Sequence, residues 1–175
     1  GLQAGLKHYT LLPGAGRWHR LFTRLEYNRV RPYTYAHQEQ FMEYTHLNQP
    51  LAHPMGAGFN EYIAAVHYRF RDIGVSARYL HAITSKDTAG LHTGSNIFLP
   101  DKQALFTGKT QTPNKPRTTI SHLNVNLTYL LNPAYNLYIF AGLHLRNAHT
   151  ARATSRLTLL KAGIRTDLQN FYFDF

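Results

Sequence analysis

Apolar and polar side chains alternate without interruption along two consecutive stretches of this chain. Leu123, Val125, Leu127, Tyr129 and Leu131 alternate with His122, Asn124, Asn126, Thr128 and Leu130. After an Asn132-Pro133 turn, Leu137, Ile139, Ala141, Leu143 and Leu145 alternate with Tyr138, Phe140, Gly142, His144 and Arg146. A period of two places successive side chains on opposite faces of a strand, so each stretch has one greasy face and one mixed face. Strands this long and regular exceed the ~5–6 residues usual in globular sheets. They fit the outer-membrane β-barrel, where one face meets lipid and the other a polar lumen. The expected fold class is all-β, an antiparallel transmembrane β-barrel with about seven or eight strands in this chain.

The same alternation recurs elsewhere. Leu2, Ala4 and Leu6 face away from Gln3, Gly5 and Lys7, giving a first strand to about Thr10. A turn over Leu11 to Trp18 carries Pro13-Gly14-Ala15-Gly16. Leu21, Thr23, Leu25 and Tyr27 then alternate with Phe22, Arg24, Glu26 and Asn28, and Tyr62, Ala64, Val66, Tyr68 and Phe70 form another apolar face opposite Glu61, His67 and Arg69. Arg71-Asp72 reads as a tight turn into Ile73, Val75, Ala77 and Tyr79, and a later strand carries Leu160, Ala162, Ile164, Thr166 and Leu168. Tight turns alternate with long polar loops near 31–58 and 84–117, the pattern of short periplasmic turns and longer external loops. Tyr and Phe cluster at the ends of the greasy faces, where a ring with one wet edge prefers the membrane interface. A soluble sandwich or barrel is the competing architecture, and it predicts no such banding. Residues 1–175 are read as one domain, with Phe171–Phe175 as a candidate eighth strand.

Composition narrows the function classes. The chain has no cysteine, which excludes a disulfide scaffold and a Cys-based zinc site. Net charge is +10, from 19 Lys and Arg against 9 Asp and Glu. Such a balance favours a polyanionic partner, but the basic residues are spread along strands and loops without a nucleic-acid patch. The chain starts at Gly1 without an initiator Met or leader segment, so a removed signal peptide or a longer parent protein is expected.

Two groups of residues are candidates for chemistry. The first loop carries Tyr33, Tyr35, His37, Tyr44, His46, Asn48, Gln49 and His53. Planar rings stack on sugars and amides bond hydroxyls, so this set suits a carbohydrate; the plainer alternative is a folded cap whose rings pack on each other. The second group is charged and shares the inward face of the strands: Arg24, Glu26, Glu61, Arg69, Arg78, Arg146, Lys161, Arg165 and Asp167. A structural charge ladder accounts for it better than an acid/base pair. The 11 histidines follow no zinc-ligand spacing, and there is no G-x-S-x-G, H-E-x-x-H or P-loop. No catalytic residue, metal or cofactor is expected.

The stretch Leu25–Tyr35 (LEYNRVRPYTY), followed by Tyr44–Ala57 (YTHLNQPLAHPMGA), resembles the C-terminal region of the capsule-assembly Wzi-like outer-membrane proteins, in particular their gliding-associated RemB-like branch. The ending Gly163–Asp167 through Phe171–Phe175 is similar to that group's terminal strand, and a last-residue Phe resembles a barrel-assembly signal. The resemblance implies the final strands of a larger barrel in the bacterial outer membrane, in contact with the bilayer and lipopolysaccharide. It further implies binding or organising surface polysaccharide, or supporting a surface secretion (type IX) or gliding assembly with other outer-membrane proteins. It lends no catalytic residues and points to a non-enzyme without nucleic-acid partners. A porin-like channel for small anions is the alternative.

Overall fold

The alternating stretches become strands, except that the last ends at Arg165, short of Thr166, and Leu168 lies outside the described residues. The structure, a computed structural model, describes residues 1–14, 17–35, 45–46, 49–51, 53–85, 95–96 and 117–166. They form β1 (Leu2–Gly14), β2 (Arg17–Val30), β3 (Thr45–His46), β4 (Gln49–Pro50), β5 (Phe59–Phe70), β6 (Ile73–Ser85), β7 (Arg117–Asn132), β8 (Leu137–Thr150) and β9 (Thr154–Arg165). The described residues contain no helix. Seven strands make one antiparallel sheet in the order β1-β2-β5-β6-β7-β8-β9, while β3 and β4 pair separately. Every long strand therefore lies beside its neighbour in the chain, as an up-and-down meander requires. β1 pairs only with β2 and β9 only with β8, so the sheet is open at both edges among the described residues.

Several boundaries differ from the sequence expectation. β1 does not stop near Thr10: Leu12 pairs with His19 and Pro13 with Trp18. A proline, lacking an N–H, is accommodated on an edge strand where one side of the ladder has no partner. The turn after β7 is Pro133–Asn136, with Asn136 at φ 46. Asn132 closes the strand, and its side-chain oxygen accepts from the Ala134 N–H at 2.9 Å. An Asx turn of this kind competes with the ladder for the backbone donors, which explains the longer turn. A bulge between Leu130 and Asn132 skips Leu131 in the register just before it. Arg71-Asp72 is a two-residue turn as read, with Arg71 at φ 53. Phe171–Phe175 lie outside the described residues.

Register turns the alternation into two continuous surfaces. On one, Leu6 faces Leu25, which faces Ala64, then Tyr79, Leu123 and Leu145 in turn. This apolar face is uncovered even in the middle of the sheet: Leu25 is 57% exposed and Leu127 51%. On the other, polar face, Arg24 faces Ala65, then Arg78, Asn124 and His144. Apart from Leu130, beside the turn after β7, the burial there lies at mid-strand and toward the end of the sheet that carries the long loops. Val30, Ala57 and Phe59 form the buried cluster, with Tyr35 and Met55 packed against it.

Candidate functional site

The long loop after β2 folds back onto the polar face. Pro32–Tyr35 make a turn in which Tyr33 has φ 61, and the Thr34 hydroxyl donates to the Arg31 carbonyl at 2.6 Å. Further on, the Gly56 N–H donates to the His53 carbonyl at 2.8 Å. Gly56 and Gly58 both adopt positive φ, 73 and 74, conformations that cost a side-chain-bearing residue ~1–2 kcal/mol. Between them Ala57 is driven into the core. Its N–H donates to the Ser95 carbonyl at 3.2 Å, and the Ser85 N–H donates to the Gly58 carbonyl at 3.1 Å, so the second long loop and the end of β6 clasp the same segment.

Beneath this segment lies a polar network. Glu61, 3% exposed, accepts from Asn28 Nδ2 at 2.8 Å and lies 3.2 Å from His53 Nε2. His53 Nδ1 accepts from the Met55 N–H at 3.3 Å, which fixes the tautomer: Nε2 carries the hydrogen and donates to Glu61. The His53 ring also lies against Phe59, centroids 4.5 Å apart. Glu26 accepts from Gln3 Nε2 at 3.0 Å, from Asn28 Nδ2 at 3.0 Å and from Arg24 Nε at 2.8 Å, and it forms an ion pair with Arg24. Both carboxylates are thus held by donors, and Asn28 bridges them. Together with Tyr35, Met55 and Arg78 these groups wall a cavity of about 800 Å³. Its walls combine a ring, amides, a guanidinium and carboxylates, the mixture that binds a polyhydroxylated ligand.

Of the residues singled out in the sequence, Tyr35 and His53 come together here, and Tyr33 occupies the preceding turn. His46 and Gln49 are paired across β3 and β4, and their side chains lie outside the description. His37, Tyr44, Asn48 and Asp167 also lie outside the described residues. The charged set shares one face: Arg24, Glu26, Glu61, Arg69, Arg78, Arg146, Lys161 and Arg165 occupy its register positions. The single charge ladder that sequence suggested is divided, because among the described residues Glu26 forms an ion pair with Arg24 while Glu61 is held by hydrogen bonds from His53 and Asn28. Sequence reading passed over Gln3 and Asn28. Asn28 sits two residues from Glu26 on the same face, and that spacing was the signal; Gln3 joins them only through the pairing of β1 with β2, which sets it opposite Asn28. It also passed over His122 and His144, which approach to 3.4 Å between Nε2 and Nδ1. No three His, Asp or Glu side chains converge to hold a metal among the described residues.

Compared with models of known protein families, with curated proteins and with solved structures, the chain matches none.

Proposed function

We propose that this chain is part of a membrane-spanning β-barrel of the bacterial outer membrane that binds or organises surface polysaccharide, or supports a surface secretion or gliding assembly, without catalysing a reaction. The membrane half of this reading is supported by the uncovered apolar face. A leucine left in water forgoes ~1.5–3 kcal/mol of burial, and a whole sheet face of them calls for a cover. The apolar stretches Leu123–Leu131 and Leu137–Leu145 match the ~9–11 residues that cross hydrocarbon on a tilted strand. Lipid cannot satisfy the open ladders of β1 and β9, so further strands complete the barrel.

The binding half is carried by one observation: the 53–59 segment folds over the polar face and forms one wall of the half-open cavity that Gln3, Arg24, Asn28, Tyr35 and His53 also line. The segment packs Met55, Ala57 and Phe59 as an apolar cap would; what a cap does not need is the bridged set of amides and carboxylates beneath it. The test is a Tyr33→Ala, Tyr35→Ala, His53→Ala triple variant at normal surface level. Surface polysaccharide retention and partner pull-down should fall; if both persist unchanged, the loop is a structural cap. The channel reading draws on the cations Arg78, Arg146 and Lys161 on the same face, none of which forms an ion pair among the described residues. It makes the opposite prediction for conductance.

A further inference from the structure

The polar face of β6 to β9 is a cationic surface with no acid of its own. Among the described residues these four strands contain no Asp or Glu. At its centre His122 and His144 lie with ring centroids 4.2 Å apart. The register puts Arg146 directly opposite His122, and Arg78 directly opposite Asn124, which is itself opposite His144. Cross-strand and diagonal neighbours on one face lie within reach of long side chains, so both guanidiniums border the histidine pair. Glu26 and Glu61, the carboxylates of the neighbouring strands, are already held by Arg24, Asn28, Gln3 and His53.

The surface continues along the strands toward the tight turns. Lys161 is opposite Gly142, and Gly142 is opposite Asn126. A Cβ built on Gly142 would lie 2.6 Å from both Lys161 Cε and Asn126 Oδ1. The missing side chain therefore lets Lys161 and Asn126 lie across β8 from either side. Below them is a cavity of about 570 Å³ lined by Ser76, Asn126, Thr128, Tyr138, Phe140 and Lys161. Cations, amides, hydroxyls and rings thus alternate along one track running down the strands.

We infer that this track binds the carboxylates of an acidic polysaccharide, with Arg78, Arg146 and Lys161 as the charge contacts. The inference rests on the polysaccharide-binding reading and names the chemical class of its ligand. Among the described residues none of these three cations forms an ion pair; like charges gathered so repel one another, and an incoming carboxylate relieves that repulsion while accepting charge-assisted hydrogen bonds. A simple inorganic anion would need the cations but not the interleaved amides and rings. A chain of uronate sugars uses both, since each residue offers one carboxylate and several hydroxyls beside a stackable face.

The experiment measures binding of fluorescent tetragalacturonate and of maltotetraose, a neutral chain of equal length, to the intact protein in nanodiscs. The expected result is tetragalacturonate binding at least about tenfold tighter, with the difference shrinking at high salt. R78Q/R146Q should bring the two sugars to similar affinity, and K161Q, on the exposed β9, should weaken only the acidic one; circular dichroism confirms the strands in each variant. Equal affinity of the two sugars for the wild-type protein overturns the acidic inference and leaves the polysaccharide reading standing. Binding of neither sugar by a folded protein overturns both. Competition by inorganic phosphate at the same concentration as tetragalacturonate also overturns it, in favour of a simple-anion site.

Discussion

His53 donates from Nε2 to the buried Glu61 across 3.2 Å, and this contact ties the first long loop to the floor of the polar face. Removing His53 leaves Glu61 with Asn28 as its one side-chain donor among the described residues and takes a ring away from Phe59. His53→Ala should destabilise the folded protein by about 1–3 kcal/mol, the cost of leaving a buried acceptor short of a donor. Urea unfolding from detergent gives the loss. Limited proteolysis should show a new cut within residues 53–58; an unchanged digestion pattern would mean that the glycine turns and the backbone bonds to Ser85 and Ser95 hold the segment without the histidine.

Gly58 offers a cleaner measure of those turns. Its φ is 74, and a Cβ there would meet Pro32 Cγ at 3.6 Å, an ordinary contact. Gly58→Ala therefore introduces backbone strain without a clash and should cost about 1–2 kcal/mol in the same unfolding assay. Gly1→Ala serves as the comparison, its Cβ meeting the Arg29 carbonyl at 3.7 Å and Val30 Cγ2 at 3.8 Å, both ordinary contacts. Equal losses at both positions would remove the conformational explanation for Gly58.

The sheet was legible because its information is local. Leu123 to Leu145 declare their faces by alternation alone, and register then follows from the turn at Arg71-Asp72 and the meander order. What alternation does not encode is how a strand ends. The Asn132 side chain capturing the Ala134 N–H, and β1 running on through Pro13, depend on single hydrogen bonds and on which strand is an edge. The candidate site was half legible. Tyr35 and His53 stood out by residue type. Asn28 did not, because its role comes from lying between Glu26 and Glu61, which are brought together only by pairing β2 with β5. The His122–His144 contact is hidden for the same reason, being made across two strands.

The apolar face is tested at adjacent residues. Leu127 and Asn126 occupy the same depth of β7 on opposite faces. Leu127→Arg should reduce folding stability in bilayers by about 2–4 kcal/mol if that face meets hydrocarbon, and Asn126→Arg should cost far less. Folding yields into vesicles, read by heat-modifiable migration, give the order. Equal tolerance, or the reverse order, would remove the membrane from the reading while leaving the sheet intact.

Conductance separates a binder from a channel. An open lumen lined by Arg78, Arg146 and Lys161 without acids on β6 to β9 would pass current and select anions, because fixed positive charge lowers the barrier they meet. Against this, Ala57 and Phe59 are buried on the same face, and the segment that carries them is clasped by backbone bonds to Ser85 and Ser95. Bulky Ile63 is also buried there, beside the cavity. The intact protein in planar bilayers should therefore show little or no steady current. His53→Ala, by freeing one anchor of the segment, should produce flickering anion-selective openings. A large steady anion current in the wild-type protein would establish the channel, and a silent His53→Ala variant would show that the glycine turns and backbone clasp close the lumen without the histidine.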